Sequence, residues 1–193
     1  MTDSRNNIIE NNRFENLLNL GIQVWAWDSD TSSTGNTIRY NHFLNHRKYE
    51  LIQLGQGGSS AFVNQHSNIE YNLFENIEME EPELISSKTS YNIFRGNTFR
   101  NCRNMLVLRT GQNAHVEGNW FLNSHGIRVH DKNHLIINNY IEGAPPNDAS
   151  TDNEGIVLYC GNQFRPETGD KHYPADSVLV ANNTIINHMA EHI

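Results

Sequence analysis

The sequence predicts a right-handed parallel β-helix of about seven to eight rungs. Three observations carry that prediction: a phrase centred on asparagine that recurs along the chain, apolar columns that align between its copies, and the stock of asparagine itself. Asn accounts for 29 of the 193 residues, far above ordinary usage. Only 37% of residues are hydrophobic, and they come in short runs such as Ile22–Trp27, Leu106–Leu108 and Leu135–Ile137. The length suits a single domain spanning 1–193. No run approaches the ~18 apolar residues of a membrane span, and Met1-Thr2-Asp3-Ser4-Arg5 opens no signal peptide. Cys102 and Cys160 are read first as two small buried thiols, and a pairing between them is left open.

The phrase reads Asn, any residue, an aromatic or aliphatic residue, and often a second Asn two positions later. Its copies are Asn12-Arg13-Phe14-Glu15-Asn16, Asn41-His42-Phe43-Leu44-Asn45 and Asn72-Leu73-Phe74-Glu75-Asn76. They continue as Asn97-Thr98-Phe99-Arg100-Asn101 and Asn119-Trp120-Phe121-Leu122-Asn123, with weaker copies at Asn139 and Asn183. Successive steps are 29, 31, 25, 22, 20 and 44 residues, the last about two rungs long. A phrase repeated at this period marks a solenoid whose coils bury their faces against one another. Asn suits the corners because it tolerates left-handed backbone, and stacked amides can form ladders.

Each copy is flanked by two predicted strands. The preceding set runs from Ile8-Ile9-Glu10 to Val178-Leu179-Val180. The following set starts at Ile22, Ile52, Ile85, Leu106, Ile127 and Ile156, and aligns without gaps. Its first and third positions point inward and its second and fourth outward, because side chains alternate along a strand. The outward fourth column reads Trp25, Gly55, Lys88, Arg109, His130, Tyr159, and the second reads Gln23, Gln53, Ser86, Val107, Arg128, Val157.

Those columns carry the chemistry. Lys88, Arg109 and His130 are 21 residues apart, so they stack on adjacent rungs within about 10 Å. Three stacked cations repel unless an anion sits among them. From Lys88 to Lys132 there are seven basic and two acidic residues in a chain of net charge -8, which points to an anionic ligand on this face. Just upstream, Glu81 and Glu83, with Glu50 one rung below, suit a hard cation such as calcium. They suit equally well as salt-bridge partners for Arg47, Lys48 or Arg103.

Several stretches bear a family likeness, among them Glu81-Pro82-Glu83-Leu84-Ile85-Ser86-Ser87-Lys88, Arg95-Gly96-Asn97-Thr98-Phe99-Arg100-Asn101-Cys102, Leu106-Val107-Leu108-Arg109-Thr110-Gly111 and Gly126-Ile127-Arg128-Val129. On these residues the chain resembles polysaccharide lyase family six, the alginate lyases and chondroitinase B. The resemblance implies β-elimination on an anionic polysaccharide, most of all alginate, with Lys88 as base and Arg109 as second catalytic residue. It also implies Glu81 and Glu83 as calcium ligands, Arg128 as a substrate contact, and a secreted or periplasmic setting. Neither nucleic acid nor a membrane is an expected partner.

The chemistry of the columns adds roles to these. The base must be a deprotonated amine, and the substrate carboxylate needs a cation as charge develops beside C5. A guanidinium is a poor proton donor, so Arg109 is assigned to charge stabilisation. The leaving oxygen is then protonated by water, His130 or a tyrosine. Gln53 lies along the same groove, and Trp25 and Tyr159 are candidate sugar platforms at its ends.

The chain departs from the family pattern in three ways. Thr110 stands where the family has histidine. The family's metal-binding asparagine has no clear counterpart, since Asn45 is near but Arg47 stands roughly in its place. The repeat has no evident caps, which allows self-association through its ends. Two further readings follow: a non-catalytic carbohydrate-binding β-helix, and a pectinase-like hydrolase. The hydrolase needs paired acids that the central outward columns lack.

Overall fold

The structure, a computed structural model, describes residues 4–26, 33–56, 63–143, 155–161 and 172–186. Twenty short strands form three parallel sheets of seven, seven and six strands among these residues. In each sheet a strand pairs with its counterparts one rung away, as in the order Ile22–Val24, Ile52–Leu54, Glu83–Ser87, Met105–Leu108, Ile127–Val129, Ile156–Leu158. This is a parallel β-helix of seven rungs.

The recurring phrase turns out to be a strand itself. Arg13–Glu15, His42–Leu44, Leu73–Ile77, Thr98–Cys102 and Trp120–Leu122 all belong to the second sheet. Each copy has one inward aromatic at its centre, and where the strand runs to five residues the next buried position, Ile77 or Cys102, follows three residues on, so no period of two stands out. That central aromatic builds much of the core. Phe14, Phe43, Phe74, Phe99 and Phe121 stack face to face with centroids 4.8, 5.0, 4.8 and 4.4 Å apart. Ile38, Ile69, Val116 and Ile136 fill the first sheet's inner face, and Ile52, Ile85, Leu106 and Ile127 the third's.

The first Asn of each phrase forms an unbroken ladder. In the central links, Asn72 Nδ2 donates to Asn97 Oδ1 at 3.0 Å, Asn97 Nδ2 to Asn119 Oδ1 at 3.0 Å and Asn119 Nδ2 to Asn139 Oδ1 at 2.9 Å. Each backbone N–H donates to the same oxygen, as Asn97 N does to Asn119 Oδ1 at 3.0 Å. The second amide hydrogen turns back into the sheet, as from Asn97 Nδ2 to the Ile69 carbonyl at 2.8 Å. Every hydrogen-bonding atom at this buried corner is thereby satisfied.

The left-handed backbone falls elsewhere than on these ladder residues. It is adopted just before them, at Asn11, Tyr40, Tyr71, Gly96, Gly118, Asn138 and Asn182, and at the second Asn of the phrase, from Asn16 to Asn123. Asparagine thus does two separate jobs, one backbone and one side-chain. Of the two thiols, Cys102 is buried, and burial pushes it up to about 12. Cys160 is exposed and both are free, so the expectation of two buried thiols holds for Cys102 alone.

Candidate functional site

The third sheet has the register read from the sequence. Ile22, Ile52, Ile85, Leu106, Ile127 and Ile156 form one column, and Gln23, Gln53, Ser86, Val107, Arg128 and Val157 the next. The fourth column follows one residue beyond the strands, held by the same ladder. Lys88 N donates to the Leu54 carbonyl at 2.7 Å, Arg109 N to Ser87 at 2.9 Å, His130 N to Leu108 at 2.9 Å and Tyr159 N to Val129 at 2.9 Å. Lys88, Arg109 and His130 therefore rise on successive rungs. Trp25 lies two rungs below Lys88 and Tyr159 two above Arg109, and both are part-exposed.

This outward face is largely covered. Lys88, Gln53, Arg128 and His130 are all buried. Part of the cover is residues 172–176, where Tyr173 and Ala175 bond to the backbones of Asp131 and Tyr159. His172 in this cover accepts a hydrogen bond from Arg109 Nε at 3.0 Å. No repeat signal marks the segment, which is why the sequence leaves the column open to solvent.

The anions among the stacked cations are the protein's own. Glu83 is buried, and its Oε1 receives Arg109 Nη1 at 3.3 Å and Arg128 Nη2 at 3.0 Å. Arg128 spans two rungs to reach it, past the short Val107. The Ser86 hydroxyl donates to Glu83 Oε2. Glu50 Oε1 lies 3.6 Å from Lys88 Nζ and takes a hydrogen bond from Gln53 at 3.4 Å. The outer basic residues pair differently from the expectation: Arg47 faces Glu78 at 3.7 Å and Lys48 faces Glu80 at 2.9 Å. The partners of Glu83 were hidden because they come from two different rungs above it.

His130 does not add a third charge. Burial, then the positive field of Arg128, pulls its imidazole down to about 3, so it is neutral near pH 7. Among the described residues neither ring nitrogen has a hydrogen-bond partner. The ring lies between Tyr159 and His172, at centroid distances of 4.5 and 4.8 Å. Lys88, Arg109 and Arg128 are thus the cations of this face, with Glu50 and Glu83 among the carboxylates set against them.

The donor set does not fit calcium, which takes six to eight oxygens. Both oxygens of Glu83 are engaged by Arg109, Arg128 and Ser86. Glu81 is exposed, and its backbone carbonyl accepts a hydrogen bond from Asn104. Arg47 lies on the surface with Glu78, outside the groove. No three His, Cys, Asp or Glu side chains converge on a metal position among the described residues.

A parallel β-helix with basic side chains stacked on one sheet face defines the class of protein. The family profile of chondroitinase B matches residues 3–192, and the chain belongs to that family. No curated protein matches the chain. Solved structures do. A mannuronic acid specific polysaccharide family 6 lyase from human gut microbiota is 23% identical at a TM-score of 0.71, over 93% of this chain and 42% of that one. A PL6 family polysaccharide lyase from Pseudopedobacter saltans is 24% identical at 0.71, over 95% and 48%. The PL6 family alginate lyase AlyGC is 26% identical at 0.67, over 80% and 22%. The chain spans less than half the length of these proteins.

Proposed function

We propose that the protein is a polysaccharide lyase that cleaves a uronic-acid polymer, alginate first, by β-elimination in a secreted or periplasmic setting. One observation carries this reading: Lys88 and Arg109 stand on adjacent rungs of one outward column, with Arg128 beside them. Elimination needs a base and a fixed positive charge a few ångströms apart, which this column supplies.

In the proposed step, deprotonated Lys88 removes the proton at C5 of the uronate. The freed electron pair forms the C4–C5 double bond as the bond from C4 to the glycosidic oxygen breaks. Charge that builds on the C5 carboxylate is met by Arg109, which is already oriented by Glu83 and His172. The leaving oxygen takes its proton from water. His130, held neutral by burial, is a weak acid and suits a substrate-contacting role. Gln53, Arg128 and the aromatic rings of Trp25 and Tyr159 complete the groove along its length. No step passes through a metal ion.

Incubation with alginate should release products that absorb in the ultraviolet band of an unsaturated uronate. Lys88→Ala should lower that rate by about 10²–10⁴-fold. Undiminished activity in Lys88→Ala would sink the assignment. A second reading, a carbohydrate-binding β-helix without catalysis, is favoured by the pairing of Lys88 with Glu50 at 3.6 Å, which engages the amine that elimination would use. Retention of oligo-uronates with no product by mass spectrometry would establish it.

A further inference from the structure

We propose that Glu83 is a positioning residue which locks Arg109 and Arg128 side by side, so that two guanidinium groups rather than a divalent cation receive the uronate carboxylate. The proposal rests on the lyase reading above and concerns how that site handles charge.

Arg109 and Arg128 come from adjacent rungs and would repel each other without an anion between them. Glu83 Oε1 lies 3.3 Å from Nη1 of one and 3.0 Å from Nη2 of the other. Its second oxygen is tied by Ser86, so the carboxylate cannot rotate away without leaving that hydroxyl unpaired. Glu83 and Arg128 are buried and Arg109 is half-buried, and charge-assisted bonds of this kind are among the strong ones. A planar guanidinium fork also matches a carboxylate, and two forks fixed at one angle define one orientation of the bound uronate.

A divalent cation at Glu83 would sit against both guanidinium groups and face a single shared carboxylate. Glu81, the nearest carboxylate in sequence, has an exposed side chain. Glu50, the remaining candidate, lies 3.6 Å from the Lys88 amine. Of the acidic residues that suggest a metal from sequence spacing, Glu83 and Glu50 are therefore set against cationic side chains and Glu81 is turned out to the surface.

The test begins with calcium chloride titrated calorimetrically into chelator-treated wild-type protein. Expected are no saturable heat and no change in melting temperature. A saturable site that disappears in Glu83→Gln overturns the proposal, whether or not the protein is a lyase. The second arm is the alginate assay, in which chelator should leave the rate unchanged. There Glu83→Gln should lower kcat about 10²-fold through loss of alignment, without raising KM, because both arginines keep their charge. Unchanged kcat, or a rise in KM alone, counts against it. If wild type forms no product, the lyase reading fails, and the calorimetric arm still decides the role of Glu83. Should Glu83→Gln not fold, Ser86→Ala frees one carboxylate oxygen and should lower kcat about tenfold by the same loss of alignment; an unchanged kcat there overturns the proposal.

Discussion

The second sheet and the third sheet share one backbone plan and use it in opposite ways. In the second, every rung repeats the same answer: a ladder asparagine, then an inward Phe or Ile. In the third, the inward column is just as uniform, but the outward column changes at each rung, from Trp25 through Gly55, Lys88, Arg109 and His130 to Tyr159. Uniform columns stack like on like and gain from it at every contact. The varied column places unlike charges at fixed spacing, which a repeated residue cannot do. Stability and chemistry are thus divided between faces of the same coil.

That division can be broken experimentally. Phe99 lies between Phe74 and Phe121 at 4.8 and 4.4 Å, and Phe99→Ala should cost about 3–5 kcal/mol of folding stability. In thermal melts this appears as a fall of roughly 10 °C, with chemistry per folded molecule retained. Asn97→Ala should cost about 3 kcal/mol, because the buried Asn72 N–H loses its acceptor along with the side-chain links. A urea midpoint that shifts without a change in slope would register it.

Acid sharpens the contrast, because the third-sheet side of the coil carries buried neutral histidines. Burial lowers His130 to about 3 and His134 to about 4. Since both lie below the unfolded value near 6.5, the unfolded chain takes up protons first as pH falls. Stability should therefore be full above about pH 6.5 and drain away toward pH 4, by up to about 1.4 kcal/mol per pH unit for each histidine. Melting temperatures from pH 7 to 5 follow this, and His130→Leu should flatten the slope. The smallest effect is expected on the surface: Lys48→Ala removes an exposed pair with Glu80 and should leave the melting temperature unchanged.

Much of this is legible in the sequence. The third-sheet register is visible in the sequence because aliphatic residues mark its inward positions at every rung. The strand inside the phrase was not, since Phe121 alone, or Phe74 followed by Ile77 three residues on, cannot display a period of two. The stacking of Lys88 below Arg109 follows from a 21-residue spacing, but the reach of Arg128 down to Glu83 does not. It depends on side-chain length, on the slim Val107 between them, and on a register irregularity between Met105 and Leu106. The cover over the column was hidden for a related reason. His172 and Tyr173 meet the column from 63 residues beyond Arg109 in the chain, in a segment with no repeat to announce it.

The asparagine ladder has a direction. Between Asn12 and Asn183 every link of the ladder runs from a side-chain amide to the Oδ1 of the asparagine one rung later. The amide dipoles lie head to tail, so each link polarises the next by roughly 10–30%. The row behaves as a single electrical line parallel to the coil axis. An alanine at Asn97 cuts that line into two short ones, whereas the same change at Asn12 only trims its end. Chemically identical substitutions should therefore differ in cost by position, most in the middle and least at the margins.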